Sequence, residues 1–275
     1  MTQTLTQLMN ERVVLLDGGM GTQIFAKGPT LEDYGSKELE GCVELLNLSR
    51  KAWIQEIHER YFKAGADAVE TNTFGANPLV LAEFGIPERA FELNVAAAKL
   101  AREVADSFEG GRYVIGSVGP GTKLLTLGHT TYAAMFESYR TQVAGLLAGG
   151  ADAILIETCQ DLAQIKVATR AAREAMAQAK RKVPLWVQGT VETTGTLLVG
   201  SDITSVLHAV EPLGIDVLGL NCATGPDEMA SHLHALAEAS PFAISCLPNA
   251  GLPRNEGGKV VYPLDPEAFA AKESA

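Results

Sequence analysis

One pattern occurs three times in this chain and limits the folds that it can adopt. A helical stretch ends at a glycine, an aspartate follows, an apolar segment of strand length comes next, and polar residues close the segment. The three copies lie at residues 64–71, 149–158 and 213–222. Continuous apolar strands that alternate with helices are typical of parallel sheets covered by helices. The pattern therefore predicts an α/β protein with parallel strands.

The number of predicted strands favours a barrel over a small open sheet. Seven segments have the length and apolar character of such strands: 13–16, 67–71, 113–118, 153–158, 184–190, 217–221 and 242–247. Seven is one short of the strands in a (β/α)8 TIM-type barrel, and the length of 275 residues agrees with the roughly 250 that such barrels need. No linker or change in composition divides the chain. We predict one barrel domain over residues 1–275, incomplete at its carboxyl end because the last strand is missing.

Composition excludes several classes of partner. The net charge of −11 argues against nucleic acid or an acidic membrane surface as the main partner. No stretch reaches the roughly 18 consecutive apolar residues that a membrane span needs, and the amino terminus lacks the features of a secretory signal. The four cysteines are too few for a disulfide framework in a chain of this size. We predict a cytoplasmic protein without a nucleic-acid or membrane partner.

Polar residues follow the predicted strands where each strand ends. In (β/α)8 barrels the active site lies at the carboxyl ends of the strands. We call the opening at that end the mouth, and we expect the polar residues that follow the strands to converge there: Asp17, Glu70, Thr71, Asn72, Glu157, Asn221, Cys222 and Asn249.

The carboxylates and the thiol of this set have specific chemical uses. Asp17 and Glu157 could bind the ammonium group of an amino acid, because such a ligand needs anionic partners. Asp17 could instead cap its own turn, and Glu70 could be a structural hydrogen-bonding residue. Cys222 could be a metal ligand or a nucleophile, although an isolated cysteine is more often a small buried residue.

Other potential ligands are less informative. The five histidines do not form a ligand set, since most lie on predicted helices where packing or surface roles are expected. Cys159 and Cys246 follow strands and could approach Cys222, but packing roles are favoured for both. Cys42 lies in a loop without a partner. The glycines of residues 17–22 permit a tight turn and a close backbone approach to a ligand.

Six stretches together resemble the homocysteine S-methyltransferase family, and within it the amino-terminal homocysteine-binding module of the cobalamin-dependent methionine synthases. They are residues 16–22, 70–74, 116–120, 154–158, 219–226 and 248–253. The stretches span nearly the whole chain in the order that the family has. No single stretch is decisive, but the set is specific.

The resemblance implies a (β/α)8 barrel that binds zinc through three cysteines. The first zinc ligand matches Cys222. The other two form an adjacent pair in a Gly-Gly-Cys-Cys motif after the last strand, and this chain contains no such pair. The resemblance also implies that Asp17 and Glu157 contact the homocysteine amino group and that backbone amides near Gly19 and Met20 hold its carboxylate. With them, the predicted substrate site includes two asparagines that follow strands, Asn221 and Asn249.

The implied reaction is methyl transfer to homocysteine to give methionine. Zinc binding would ionise the substrate thiol, since the thiolate is the nucleophile. The donor in the methionine synthases is methylcobalamin on a separate module, recharged from 5-methyltetrahydrofolate, so cobalamin- and methyltetrahydrofolate-binding modules are the expected partners. Free-standing members use S-methylmethionine or betaine instead.

The missing cysteine pair leaves three alternatives open, because a zinc site normally needs at least three protein ligands. The chain could be a fragment of a longer methyltransferase, a naturally short amino-acid-binding protein without zinc, or a protein in which Cys159 or Cys246 supplies the missing ligand. A further alternative is a barrel aldolase or lyase in which Glu157 is the base and Lys123 the mouth lysine.

Overall fold

The protein forms one parallel sheet whose strands lie in chain order. The computed structural model describes residues 3–257 and 259–274. Within them the six strands of this sheet are β1 (Ala68–Glu70), β2 (Tyr113–Val118), β3 (Ala153–Cys159), β4 (Leu185–Gly189), β5 (Val217–Asn221) and β6 (Ala243–Leu247). Sequential order without a reversal is the arrangement of a barrel wall and differs from a doubly wound sheet, in which the order reverses. The α/β class is confirmed, and the curled sheet is consistent with a TIM-type barrel.

Helices alternate with these strands and cover the outer face of the sheet, except α1, which closes its amino end. Their bounds are α1 (Leu5–Glu11), α2 (Met20–Ala26), α3 (Leu31–Tyr34), α4 (Leu46–Ser49), α5 (Lys51–Ala64), α6 (Pro78–Leu81), α7 (Ala90–Asp106), α8 (Tyr132–Gly149), α9 (Leu162–Gln178), α10 (Ile203–Val210), α11 (Pro226–Ala239) and α12 (Pro266–Glu273). Asp161 and Asp202 cap α9 and α10 with side-chain bonds to backbone N–H groups, as aspartate does at helix starts. None of the helices in the described residues combines the length and hydropathy that a membrane-spanning segment requires.

The first predicted strand, residues 13–16, is extended but lies outside the sheet ladder. Its only backbone contacts with β1 are made through the Leu15 carbonyl, which accepts from Asp67 N at 2.7 Å and Ala68 N at 3.3 Å. Val13 and Leu15 are 80% and 56% exposed. The sheet of the described residues therefore has six strands, where the sequence predicted seven.

The aspartate of each repeated pattern forms the same pair of hydrogen bonds. Its backbone N–H donates to a carbonyl oxygen of the preceding strand segment, at 2.7–2.8 Å. Its side-chain Oδ2 accepts a hydrogen bond from the backbone N–H of the residue that supplies this carbonyl, at 2.8–2.9 Å. We call this arrangement the aspartate clamp. The clamped residues are Leu15 for Asp67, Val114 for Asp152 and Leu185 for Asp216. Each clamp fixes the register at the amino end of a strand.

Apolar side chains close the amino end of the barrel. Leu5 and Leu8 of α1 are buried in a cluster with inward-facing strand residues, among them Ile115, Leu155 and Trp186. The hydroxyl group of Tyr113 donates to the Gln3 carbonyl at 2.7 Å, which holds the segment before α1 on the same cluster. Because this end is filled, a ligand cannot enter the barrel interior from it.

Strand β6 is much more exposed than β5, the strand with which it pairs. Ala243 is exposed and Ile244 is 38% exposed, whereas every residue of β5 is buried. In the described residues β6 pairs with β5 on one edge only. A short antiparallel pair, β7 (Arg254–Glu256) and β8 (Lys259–Val261), follows but does not join the sheet. The described residues thus form an open wall, and closure by a further strand stays a prediction.

The clamps can be tested by comparing a buried one with an exposed one. We expect Asp67→Ala to lower the free energy of unfolding by about 2 kcal/mol, because it leaves the Leu15 N–H and the Arg12 guanidinium without their acceptor. Asp216→Ala should lower it by about 1 kcal/mol or less, since water can reach this exposed position. Urea unfolding measures both, and negligible losses in both variants would contradict a role in fixing register.

Candidate functional site

A layer of polar side chains lies above the apolar floor of the barrel. Ala68, Ile115 and Leu155 face the interior. Because successive residues of a strand point to opposite faces, the residues two positions further along face the interior as well. Applied to the strands from β1 to β6, this rule places six side chains in the polar layer: Glu70, Ser117, Glu157, Gln188, Asn221 and Ser245.

Glu157 is the most firmly held carboxylate of this layer. It is 8% exposed. Its Oε1 accepts a hydrogen bond from Ser117 Oγ, and its Oε2 lies 3.2 Å from Asn221 Nδ2. Burial raises the pKa of Glu157 to about 7, and the hydrogen bonds from Ser117 and Thr158 oppose that rise. The carboxylate is fixed in place while its ionised form lacks a cationic partner.

Asp17 is fixed against the tip of β1. Both of its carboxylate oxygens accept from the backbone N–H of Glu70 at 3.0 Å. Burial raises the pKa of Asp17 well above its usual value, and the negative charge of Glu157 adds to the rise, while the Glu70 N–H opposes it. The carboxylate thus joins the mouth to the extended segment that precedes it.

The chain after Asp17 brings backbone amides to the same region. Gly19 precedes α2, which begins at Met20, and no side chain caps this start. The first N–H groups of a helix have no acceptor within the helix. A Cβ atom on Gly18 would approach Tyr61 Oη to 3.3 Å, so this turn is closely packed. Gly19 and Met20 thus follow Asp17 by two and three residues, at the start of α2.

Asn221 connects the tips of β3 and β5. Its Oδ1 accepts from Thr158 N at 2.9 Å and lies 3.3 Å from Thr190 Oγ1. Its Nδ2 lies 2.8 Å from Thr158 Oγ1 and 3.3 Å from Cys222 Sγ, in addition to the Glu157 contact. An amide with two N–H donors cannot serve all three acceptors fully. Asn221 is therefore a shared link between the carboxylate and the thiol.

Backbone strain is concentrated beside this link. Thr158, Cys222 and Ala223 have φ values of 55°, 58° and 55°, in the left-handed region that residues with a side chain rarely adopt. Such conformations persist where the surrounding structure holds them, and they cluster at functional sites. The chain therefore turns sharply near the end of β3 and after β5, and both turns lie at the mouth.

Cys222 itself is half-buried and protonated at neutral pH. Burial raises the pKa of its thiol to about 11, and the charge of Glu157 adds to the rise. Reactive cysteines lie next to cations or helix starts that lower the thiol pKa. Since Cys222 has the opposite environment, it is not a self-activated nucleophile.

The remaining cysteines do not join Cys222. Cys159 is buried, and its Sγ lies 3.7 Å from the Glu157 carbonyl oxygen in the cluster between sheet and helices. Cys246 packs against that same cluster, and Cys42 is buried beside Glu44. Within residues 3–257 and 259–274 no group of three histidine, cysteine or acidic side chains is placed to hold a metal. The packing roles expected for Cys159 and Cys246 agree with the structure. Cys42, expected to lie in a loop without a partner, has its Sγ 3.7 Å from Glu44 Oε2.

Asn249 lies in the loop after β6. Its backbone N–H donates to the Thr224 carbonyl at 3.0 Å, which joins this loop to the one after Cys222. The two loops pack closely, because a Cβ atom on Gly225 would lie 2.7 Å from Gly251 Cα. Asn249 is thereby placed beside the tip of β5, although its side chain forms no hydrogen bond with the other predicted site residues in the described part of the chain.

Some predicted mouth residues have other partners. Asn72 Nδ2 donates to the Val43 carbonyl at 2.9 Å, so this side chain ties a loop in place. Thr71 Oγ1 lies 2.6 Å from Thr73 Oγ1 in a buried pair. Lys123 forms an ion pair with Glu83 at 3.1 Å. The lysine that a lyase would need is therefore occupied away from Glu157.

Two residues of the network were missed by the sequence reasoning. Ser117 donates a hydrogen bond to Glu157, and Thr158 is hydrogen-bonded to Asn221. The sequence reasoning assigned no role to either residue. The position of Ser117, at the end of a strand and two residues after inward-facing Ile115, was the available signal. Nothing in the sequence indicated the left-handed turn at Thr158.

The pH dependence of stability should reveal the Glu157 carboxyl. Because folding raises its pKa from about 4.3 to about 7, the protonated form is favoured in the folded state, and the stability it contributes is lost as pH rises through that window. Glu157→Gln removes this loss. In urea unfolding, we expect the free energy of unfolding of Glu157→Gln minus that of the unmodified protein to be more positive at pH 8 than at pH 5. A pH-independent difference would contradict the assignment.

Sequence comparisons place the chain among known proteins. The family model of homocysteine S-methyltransferase matches residues 14–275. The methionine synthase of Mycobacterium tuberculosis H37Rv is 50% identical over 269 residues, which cover 97% of this chain and 22% of that protein. The methionine synthase of Mycobacterium leprae is 49% identical over the same shares. The chain spans about a fifth of the length of these two relatives.

Solved structures agree with the sequence comparison. The metallated form of the homocysteine methyltransferase MmuM from Escherichia coli matches with a TM-score of 0.74 at 25% identity, over 89% of this chain and 86% of that one. Its oxidised form matches with a TM-score of 0.73 at 24% identity, which shows the shared fold. With the family model matching nearly the whole chain, the predicted resemblance is confirmed: the chain belongs to the homocysteine S-methyltransferase family.

Proposed function

We propose that this chain binds homocysteine at the mouth and holds its thiol for methylation to methionine. The observation that carries the proposal is the network of Glu157, Asn221 and Cys222, which joins a fixed carboxylate to a thiol through one amide. Membership of the family supports the reaction type. The methionine synthases that the chain matches support the product.

In this proposal the ammonium of the amino acid would bind acidic side chains, and its carboxylate would bind backbone N–H donors. The ammonium would bind Asp17 and Glu157, whose raised pKa values show that their charges are uncompensated in the free protein. A cation beside them restores the ionised forms and gains charge-assisted hydrogen bonds. The substrate carboxylate would bind the backbone amides at Gly19 and Met20. Asn221 and Asn249 would border the substrate on the opposite side, next to Cys222.

The described residues alone do not fit a zinc ion. A zinc site needs at least three protein ligands, and Cys222 is the only cysteine of the mouth in the part of the chain that the structure describes. We propose instead that a further strand pairs with the free edge of β6 and carries the adjacent cysteine pair of the family. The exposure of Ala243 and Ile244 on β6 supports such a partner.

The methyl donor belongs to the same proposal. We favour methylcobalamin on a separate module, recharged from 5-methyltetrahydrofolate, because the relatives at 49–50% identity are methionine synthases of which this chain covers 22%. S-methylmethionine or betaine is the alternative donor, and zinc-free binding of an amino acid is the alternative function. The cytoplasmic location stays a prediction.

Calorimetric titration with homocysteine tests the binding proposal. We expect Asp17→Asn and Glu157→Gln each to weaken binding by about tenfold or more, because each removes a charge-assisted hydrogen bond. Glu83→Gln is the matched control, since Glu83 is a carboxylate bonded to Thr122 and Lys123 outside the predicted site. Unchanged affinity in both site variants would contradict the assignment of the ammonium site.

Zinc content provides a second test. A mixture of the isolated chain with one equivalent of zinc, followed by gel filtration and metal analysis, should retain little metal, because one thiolate is a poor zinc site. Cys222→Ser should retain the same small amount. Stoichiometric zinc that is lost in Cys222→Ser would show that this chain completes the site by itself.

A further inference from the structure

Glu70 ends strand β1 with its side chain directed into the barrel. Ala68, two residues earlier on the strand, belongs to the interior cluster, so Glu70 faces the same side. The backbone N–H of Glu70 is bonded by the carboxylate of Asp17. This contact places the Glu70 backbone beside the Asp17 carboxylate, and the two acids are near enough for the charge of Asp17 to act on the Glu70 carboxyl.

Its carboxylate differs from the other two acids of the mouth, Asp17 and Glu157, in having no hydrogen-bond donor among the described residues. Ser117 and Asn221 donate to Glu157, and a backbone N–H donates to Asp17. The Oε1 atom of Glu70 is buried and has no hydrogen-bond partner among the described residues. A buried acceptor left without a partner is destabilising, and more so when it is charged. A structural hydrogen-bonding role, the alternative considered from the sequence, is therefore not supported.

The surroundings of Glu70 favour a cationic ligand. Burial raises its pKa well above the usual value, and the charges of Glu157 and Asp17 add to the rise. No lysine or arginine of the described residues forms an ion pair with any of these three acids. The mouth thus holds three acidic groups, Asp17, Glu70 and Glu157, whose ionised forms repel one another and would be stabilised by a cation.

We propose that Glu70 is a third ligand of the substrate ammonium and that it sets the preference for an amino-acid thiol over a thiol that lacks the amino group. The inference rests on the proposed binding of homocysteine at the mouth. A primary ammonium carries three N–H donors, and Asp17, Glu70 and Glu157 offer one acceptor each. The free Oε1 of Glu70 then gains the partner that it lacks in the unliganded protein.

The test compares two thiols that differ in the amino group. Homocysteine and 4-mercaptobutanoate are titrated into the unmodified protein and into Glu70→Gln by calorimetry. We expect Glu70→Gln to weaken homocysteine binding by about tenfold, as the loss of one charge-assisted hydrogen bond implies. Binding of 4-mercaptobutanoate should stay equal or become tighter, because a negative charge has been removed near an anionic ligand. Glu83→Gln should leave both affinities unchanged.

Thermal melting separates a binding role from a structural one. If Glu70 stabilised the fold, Glu70→Gln would lower Tm. We expect an equal or higher Tm at pH 8, because the variant removes repulsion among three acids. Glu70→Asp, which keeps the charge on a shorter side chain, should recover part of the preference for homocysteine.

The outcomes separate this inference from the proposed function. If the unmodified protein prefers homocysteine and Glu70→Gln keeps the same preference, the role of Glu70 is refuted while homocysteine binding stands. A Glu70→Gln protein with a lowered Tm and equal losses for both thiols also refutes it, in favour of a structural role. If the unmodified protein binds both thiols equally or neither, the proposed ammonium site fails and this inference fails with it.

Discussion

The aspartate clamp is the interaction on which the positions of the other functional groups depend. A parallel strand displaced by one residue would turn its interior side chains to the outer face. Asp152 prevents this at β3, because its N–H and its carboxylate bond the carbonyl and the N–H of Val114. With the start of the strand fixed, its fifth residue, Glu157, must face the interior at the mouth. The clamps at Asp67 and Asp216 have the same effect on Glu70 and Asn221.

Several features that reduce the stability of the fold are concentrated at the mouth. Acidic groups without cations and left-handed backbone at Thr158 and Cys222 both reduce stability. The apolar floor formed by α1 and the interior of the strands offsets them. A ligand with a compact positive charge would stabilise the ionised forms of these acids, which burial and mutual repulsion disfavour in the free protein. The proposed selectivity for an amino acid would follow from the same features that make the free site unstable.

Much of the fold and part of the site could be predicted from the sequence. The repeated aspartate pattern predicted parallel strands, and the polar residues after them predicted Asp17, Glu157 and Asn221 at one end. The sequence could not show that residues 13–16 lie outside the ladder, because an apolar extended segment has the same pattern whether or not it pairs. Nor could it distinguish Asn72 from Asn221, since the direction of each side chain after a strand depends on local turns that form only in the packed structure.

Recognition and activation of the substrate lie on different parts of this structure. The groups that would recognise an amino acid come from the extended segment, β1, β3 and β5, all of which are held by clamps or by buried strands. Ionisation of the substrate thiol would need a metal under the proposed function, and Cys222 is the one cysteine of the mouth among the described residues. Under the same proposal the further cysteine ligands would come from the side of β6, the exposed edge of the sheet. Because the clamps and the buried strands hold the proposed recognition groups without any help from that edge, amino-acid binding would not depend on ligands from the side of β6, whereas the proposed metal-assisted ionisation of the substrate thiol would.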